Sequence, residues 1–258
     1  MKNNSPWFLE GSSKARLVWV TPNAEEHISY CARVSNPKNQ ENEKFEGLIK
    51  YCVKMGHVSI FEQASMCIEV ITPLAIATQM LRHRFCFQQF SMRYSTPEEI
   101  KDLLGEGGYL YYMPEEARLQ DTKNRQNSIV SEDPSLTDAM QNTMLSAYSV
   151  ADLAYNDLIA KGIAREVARF VLPQGGFTRM FVSGSCRSWM HYLGVRDEPG
   201  VVQWEHVELA RAIRPIFATQ FPTVNKAFFH RERTPLETEN EELKAEIAVL
   251  KATLRGTN

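Results

Sequence analysis

Apolar positions along the chain switch between strand-like and helical spacing, and each switch marks an element. "RLVWVTP" predicts a short strand over 16–22. "NAEEHISYCARVS" then predicts a helix, with Asn23 as N-cap and Glu26 three residues on as a capping box. In "ENEKFEGLIKYCVKMG", Phe45, Leu48, Ile49, Cys52 and Val53 share one helical face, and Gly56 stops the helix. "ASMCIEVI" (64–71) is β-branched and loosely alternating, so it predicts a strand. "TPLAIATQMLRHR" offers Thr72 as N-cap and Pro73 at the first helical position. That helix delivers Arg82, His83 and Arg84 at its C-terminal end, where cations suit the helix dipole.

Residues 100–135 are polar and turn-rich and predict a long loop. A long helix follows over roughly 135–161, ending before Gly162. "AREVARFVL" predicts a shorter helix stopped by Pro173, "SCRSWMHYLGV" another, and "VVQWEHVELARAIRPIFATQF" a third, kinked at Pro215. From 234 the pattern changes. Thr234, Pro235 and Glu237 open a helix in which Leu236, Asn240, Leu243, Ile247, Leu250 and Leu254 recur at four- and three-residue steps. That is either a coiled-coil seam with one polar Asn or an amphipathic helix docked on its own domain. The expectation is an α+β fold: a helix-rich catalytic domain over 1–233 with a small, mainly antiparallel sheet, and a helical tail over 234–258.

Composition narrows the function. At 43% hydrophobic, the 258 residues can build a real core. A net charge of −2 argues against a nucleic-acid or membrane-surface protein, so any polyanion site is local. The five cysteines are odd in number and form no C-x-x-C pair, which favours reduced thiols in a cytoplasm. No apolar run reaches signal-peptide or membrane-spanning length, so a soluble cytoplasmic protein is expected. No metal-binding His spacing occurs, and neither a Rossmann nor a Walker loop is present.

Candidate chemistry concentrates in "RHRFCFQQFSMRYS", residues 82–95, which interleaves three Arg and a His with three Phe and a Tyr and holds no acid. Arg suits phosphate because its fork donates two parallel hydrogen bonds. A second set lies downstream, with Arg165 and Arg169 four apart and Arg187 four residues before His191 on one helical face. Arg169 sits in an apolar stripe and needs a partner, either Glu166 or a ligand anion. Ser91 has no obvious base in sequence. Flanked by Phe85 and Phe87, Cys86 is expected to be a buried structural thiol rather than a catalyst.

Together these pieces resemble the flavin-dependent thymidylate synthases. The family signature is Arg-His-Arg, seven residues, then Ser, followed shortly by Arg-Tyr. "CARVS", "GHVSIFE", "TPLAIATQMLRHR", "GIAREVARFVLP" and "CRSWMHYLGVR…VQWE" support it, in the family's order, over roughly residues 28–222. There are departures. Six residues, not seven, separate Arg84 from Ser91; Gln89 stands where an acid is usual, and Ser185 where Asn is usual. Gln89 can hydrogen-bond a nucleotide but cannot act as a carboxylate.

The resemblance implies a homotetramer that converts dUMP to dTMP, with methylenetetrahydrofolate as carbon donor, FAD as redox carrier and NADPH as reductant. It places Ser59, Arg82, His83, Arg84, Gln89, Ser185, Arg187 and His191 at FAD. It places Gln79, Arg82, Gln89, Phe90, Ser91, Met92, Arg93, Arg169 and Arg196 around dUMP, with Arg196 the catalytic residue by the uracil edge. His57 is a further candidate near flavin and folate. Sites shared between subunits are also implied. Two rivals are an inactive FAD-binding relative with an assembly role and a single-stranded nucleic-acid binder, which the acidic net charge disfavours. Flavin colour and turnover of dUMP separate the three.

Overall fold

The computed structural model describes residues 7–104 and 110–230. The predicted tail over 234–258 lies outside the described residues. Five antiparallel strands form the main sheet in the order β1 (Phe8–Glu10), β2 (Ser13–Val20), β3 (Ser65–Pro73), β7 (Phe177–Ser185) and β4 (Cys86–Gln89). A separate hairpin pairs β5 (Arg118–Gln120) with β6 (Ser128–Val130). The helices are α1 (Ala24–Ala32), α2 (Glu46–Lys54), α3 (Leu74–Met80), α4 (Pro97–Leu104), α5 (Pro134–Ala160), α6 (Arg165–Ala168), α7 (Cys186–Arg196), α8 (Trp204–Gln220) and α9 (Pro222–Phe229). This is the helix-rich α+β fold with a small antiparallel sheet that the pattern predicts.

Period-two alternation decides what each strand buries. Met66, Ile68 and Val70 of β3, with Met180 and Val182 of β7, join the core. Trp189 and Leu193 of α7, with Leu209, Ile213 and Phe217 of α8, fill the same core. The predicted face of α2 holds: Ile49 and Cys52 are buried, and Phe45, Leu48 and Val53 pack against them. Helix α2 stops where Gly56 takes a left-handed φ of 69°, a conformation glycine adopts without strain.

The opposite face of β3 carries Cys67, Glu69 and Ile71, all buried. Glu69 is 1% exposed and accepts from Arg16 Nε on β2 and Arg179 Nε on β7, both at 2.6 Å. One buried carboxylate thus ties three neighbouring strands together, and the two guanidiniums offset its desolvation.

Several local expectations need correction. Asn23 adopts a left-handed φ of 46° and its side chain caps nothing, so the capping box with Glu26 does not form. The buried first-turn acid is Glu25, which accepts the Val224 N–H at 2.8 Å and caps α9 instead. Strand β3 runs through Thr72 and Pro73, and α3 starts only at Leu74, because ladder pairing with Thr178 and Phe177 extends the strand. The long loop over 100–135 holds the end of α4 and the β5–β6 hairpin. Its turn is fixed by Asp121, whose carboxylate accepts from Lys123 N, Asn124 N and Asn127 Nδ2. "AREVARFVL" is helical only to Ala168 and tightens to a 3₁₀ turn at Arg169–Val171.

Glu69→Gln should lower the unfolding free energy by about 3 kcal/mol, the scale for breaking a buried pair, with helical content unchanged. Denaturant titration measures this, and a loss below about 1 kcal/mol would show that the strands do not lean on the carboxylate.

Candidate active site

Arg82, His83 and Arg84 follow α3 in a turn rather than a helix, so Arg82 and Arg84 are exposed while His83 is half-buried. Phe85 anchors the turn. Its ring lies 4.3 Å from that of Trp189, over Gly184 of β7. A Cβ on Gly184 would stand 2.3 Å from the Phe85 ring, so only glycine leaves it this seat. His83 then meets α7: its ring is edge-on to Tyr192 at 4.9 Å, and its Nε2 accepts from Arg196 Nε at 2.8 Å. An accepting Nε2 means a neutral imidazole protonated on Nδ1. Burial first, then the Arg196 guanidinium, push His83 down to about 4. Fully buried His206 is pushed down to about 3 by the same causes in the same order.

A second cluster gathers on Glu62, at the end of the 3₁₀ turn Val58–Glu62. Its carboxylate accepts from Ser185 Oγ at 2.5 Å and Arg187 Nη1 at 3.3 Å, with Arg84 Nη1 at 3.9 Å. Glu62, Arg84, Arg187 and His191 line a cavity of about 490 Å³ walled by Val58, Met190 and Phe228. Ser185 is also the N-cap of α7, accepting from Ser188 N at 3.2 Å. His57 and Ser59 are exposed at the start of the same turn.

A third region follows β4. Gln89, Phe90, Ser91, Met92 and Arg169 line one cavity of about 510 Å³, closed below by Phe177 and Thr178 of β7. Gln89 Nε2 donates to Thr178 Oγ1 at 3.2 Å. None of Gln79, Arg82, Arg93 or Arg196 lines this cavity. The predicted substrate set is therefore split within one chain. Gln79 and Arg196 lie in the His83–His206 cluster, and the Gln89–Arg169 group lies apart from them.

The structure decides the open partner of Arg169 and corrects the expected burial of Cys86. Glu166 pairs with Arg93 at 2.7 Å rather than with Arg169. Among the described residues, Arg82, Arg169 and Arg196 have no carboxylate partner. Cys86 is exposed, not buried, because β4 alternates and turns Phe85 and Phe87 inward and Cys86 outward. Ser91 Oγ accepts from Arg93 N at 3.3 Å and has no base beside it. Arg33 of "CARVS" is structural: it is buried and donates to Asn42 O at 2.5 Å and Lys44 O at 2.7 Å. Sequence reading missed Tyr192, Gln203, Glu205 and His206, which bond to one another or to Gln79 from a different part of the chain. Among the described residues, no group of His, Cys, Asp and Glu is placed to hold a metal. No described helix is long and apolar enough to cross a membrane.

Residues 16–223 match the family model described as "Thymidylate synthase complementing protein". A flavin-dependent thymidylate synthase of Synechocystis sp. is 45% identical over 201 residues, 78% of this chain and 87% of that protein. A probable flavin-dependent thymidylate synthase of Paramecium bursaria Chlorella virus 1 is 46% identical over 224 residues, 83% of this chain and 97% of that protein. Among solved structures, the UMP/dUMP methylase PolB of Streptomyces cacaoi, bound with 5-Br dUMP, superposes with a TM-score of 0.72 at 27% identity. The match covers 88% of this chain and 99% of PolB. The chain belongs to the flavin-dependent thymidylate synthases, a family of methyltransferases.

The two suppressed imidazoles set a pH dependence. Between pH 6.5 and about 4, the unfolded chain binds protons on His83 and His206 that the folded chain refuses. Their contribution to stability is complete above 6.5 and falls as the pH is lowered through this window. His206→Gln should reduce the slope of unfolding free energy against pH, near pH 5, by roughly one proton. Denaturant titration across pH 4.5–6.5 reads the slope, and an unchanged slope would show that His206 titrates normally.

Proposed function

We propose that the chain converts dUMP to dTMP, taking the carbon from methylenetetrahydrofolate, with FAD as redox carrier and NADPH as reductant. The observation that carries this is the 510 Å³ cavity, lined by Gln89, Phe90, Ser91, Met92 and Arg169. It combines apolar Phe90, Met92 and Phe177 with hydrogen-bonding groups and the Arg169 guanidinium, which has no carboxylate partner among the described residues, and this suits a nucleoside monophosphate.

The donor set at Glu62 fits an anionic dinucleotide such as FAD. Arg84, Arg187 and His191 surround a single carboxylate, and the Arg84 side chain is 88% exposed and only loosely held. Exposed Ser59, on the same 3₁₀ turn as Glu62, extends the set outward. Bound FAD would supply the hydride chemistry there. The residues do the binding and the charge work. His83 takes the Nε–H of Arg196 and fixes the guanidinium plane, leaving both Nη groups without a partner among the described residues. Those N–H donors stay charged and are set to stabilise negative charge developing on a pyrimidine. No side-chain nucleophile is required: among the described residues, Ser91 has no base and exposed Cys86 no cation beside it.

Assembly as a homotetramer with shared sites is part of the proposal. Helix α5 buries only Tyr155 of its 27 residues, while Leu145, Val150 and Leu153 face outward. Val167 and Phe170, the latter 81% exposed, add apolar surface next to Arg169. A second copy would cover that surface and bring Gln79, Arg82 and Arg196 to the Gln89–Arg169 cavity. All five cysteines are free, which fits work in a reducing cytoplasm.

The purified protein should be yellow and should form dTMP from dUMP only with both NADPH and methylenetetrahydrofolate. Arg196→Ala should lower turnover by about 10²–10³-fold while flavin stays bound. A colourless protein would overturn the cofactor assignment. A yellow wild type without turnover would favour the inactive relative.

A further inference from the structure

A file of hydrogen bonds runs from an ion pair into the substrate set. Arg118 of β5 pairs with the buried carboxylate of Glu205, which also accepts from Tyr112 Oη at 3.0 Å. Gln203 bonds Glu205 Oε2 at 2.9 Å, Gln79 bonds Gln203 at 2.6 Å, His206 Nδ1 lies 3.3 Å from Gln79 Oε1, and Tyr192 Oη lies 3.1 Å from His206 Nε2.

The ion pair fixes the direction of the whole file. A carboxylate facing Arg118 can only accept, so Gln203 must turn its amide nitrogen to Glu205. Its oxygen is then aimed at Gln79, which must answer with its own nitrogen. The Gln79 oxygen is left facing His206, so the imidazole carries its proton on Nδ1 and accepts the Tyr192 hydroxyl on Nε2. Reversing any member would set two acceptors or two donors against each other at bonding distance. Gln203 is exposed, so the file is held at its buried members, Glu205 and His206, where an unmade bond is costly.

We infer that Glu205 and His206 are positioning residues that lock the Gln79 amide, so that it meets the substrate as an N–H donor and never as a carbonyl. One Gln79 hydrogen is committed to Gln203; the second has no partner among the described residues. It is available for an acceptor oxygen, a pyrimidine carbonyl or a phosphate, and it repels an amino group at the same place. The inference rests on the proposal that dUMP is the substrate. It assigns to two residues outside the predicted substrate set the task of choosing which end of Gln79 the ligand meets.

The test uses the full-length, flavin-loaded protein, with dUMP affinity from calorimetry and the split between KM and kcat. Glu205→Gln keeps the shape but lets the file run either way. His206→Gln removes the donor beside Gln79, whereas His206→Asn places an amide N–H near the position of Nδ1. Glu205→Gln and His206→Gln should each weaken dUMP about tenfold, with kcat at saturating dUMP within about threefold of wild type. His206→Asn should stay within about threefold in affinity. The inference is overturned if Glu205→Gln binds dUMP like the wild type, or if the two His206 variants weaken it equally, as a packing role requires. Should the His206 variants fail to fold, Glu205→Gln decides alone. A wild type that binds no dUMP overturns the substrate proposal itself, an outcome distinct from equal binding by wild type and variants.

Discussion

The antiparallel pairing of β3 with β7, nine residues long and pinned at its middle by Glu69, is the constraint on which the site depends. Because the strands oppose, the end of β3 lies beside the start of β7. Helix α3 leaves that end and runs back, so the Arg82–Phe85 turn reaches the far end of β7. There Gly184 seats Phe85 and α7 begins. His83 and Arg196, 113 residues apart in sequence, meet for this reason. Strand β4 then pairs with the free edge of β7 in the return direction and carries Gln89–Arg93 back toward Phe177 and Thr178. One strand pair therefore places site residues at both of its ends.

Charge is distributed to match. Glu69, Glu62, Glu166 and Asp197 each hold one or two guanidiniums. Among the described residues, Arg82, Arg169 and Arg196, at candidate ligand positions, have no carboxylate partner, whereas Arg33 and Arg165 spend their guanidiniums on backbone carbonyls. Neutral His83 is what allows Arg196 to be held without being neutralised: a carboxylate in its place would orient the guanidinium equally well and cancel the charge that the proposed chemistry uses.

Much of this was legible in the sequence, and the gaps have physical causes. The face of α2 and the extent of α5 follow from uninterrupted periodicity and clear ends. Strand β7 alternates Thr178, Met180 and Val182 inward, yet Thr, Arg, Gly and Ser dilute its apolar signal, and it went unread although it is paired on both edges. The β5–β6 hairpin depends on side-chain bonds from Asp121, which no hydrophobic pattern reports. In the site, the order of the Arg, His and Ser motifs carried the family resemblance. The Gln79–Gln203 bond spans 124 positions, and a buried His206 inside an amphipathic helix reads as ordinary packing, so neither had a local signal. Sequence left the partner of Arg169 open between Glu166 and a ligand anion; the fold hands Glu166 to Arg93.

The central claim is that each chain carries two incomplete halves of one substrate site, with Arg196 in one and Arg169 in the other, and that assembly joins halves from different copies. Complementation between defective subunits tests it most directly. Arg196→Ala and Arg169→Ala proteins, each inactive alone, are mixed under conditions that exchange subunits, and dTMP formation is measured. Random exchange at equal amounts should restore about a quarter of wild-type activity, the share of sites that receive an intact half from each parent. If mixed assemblies form and no activity returns, both arginines act within one chain and the claim is wrong.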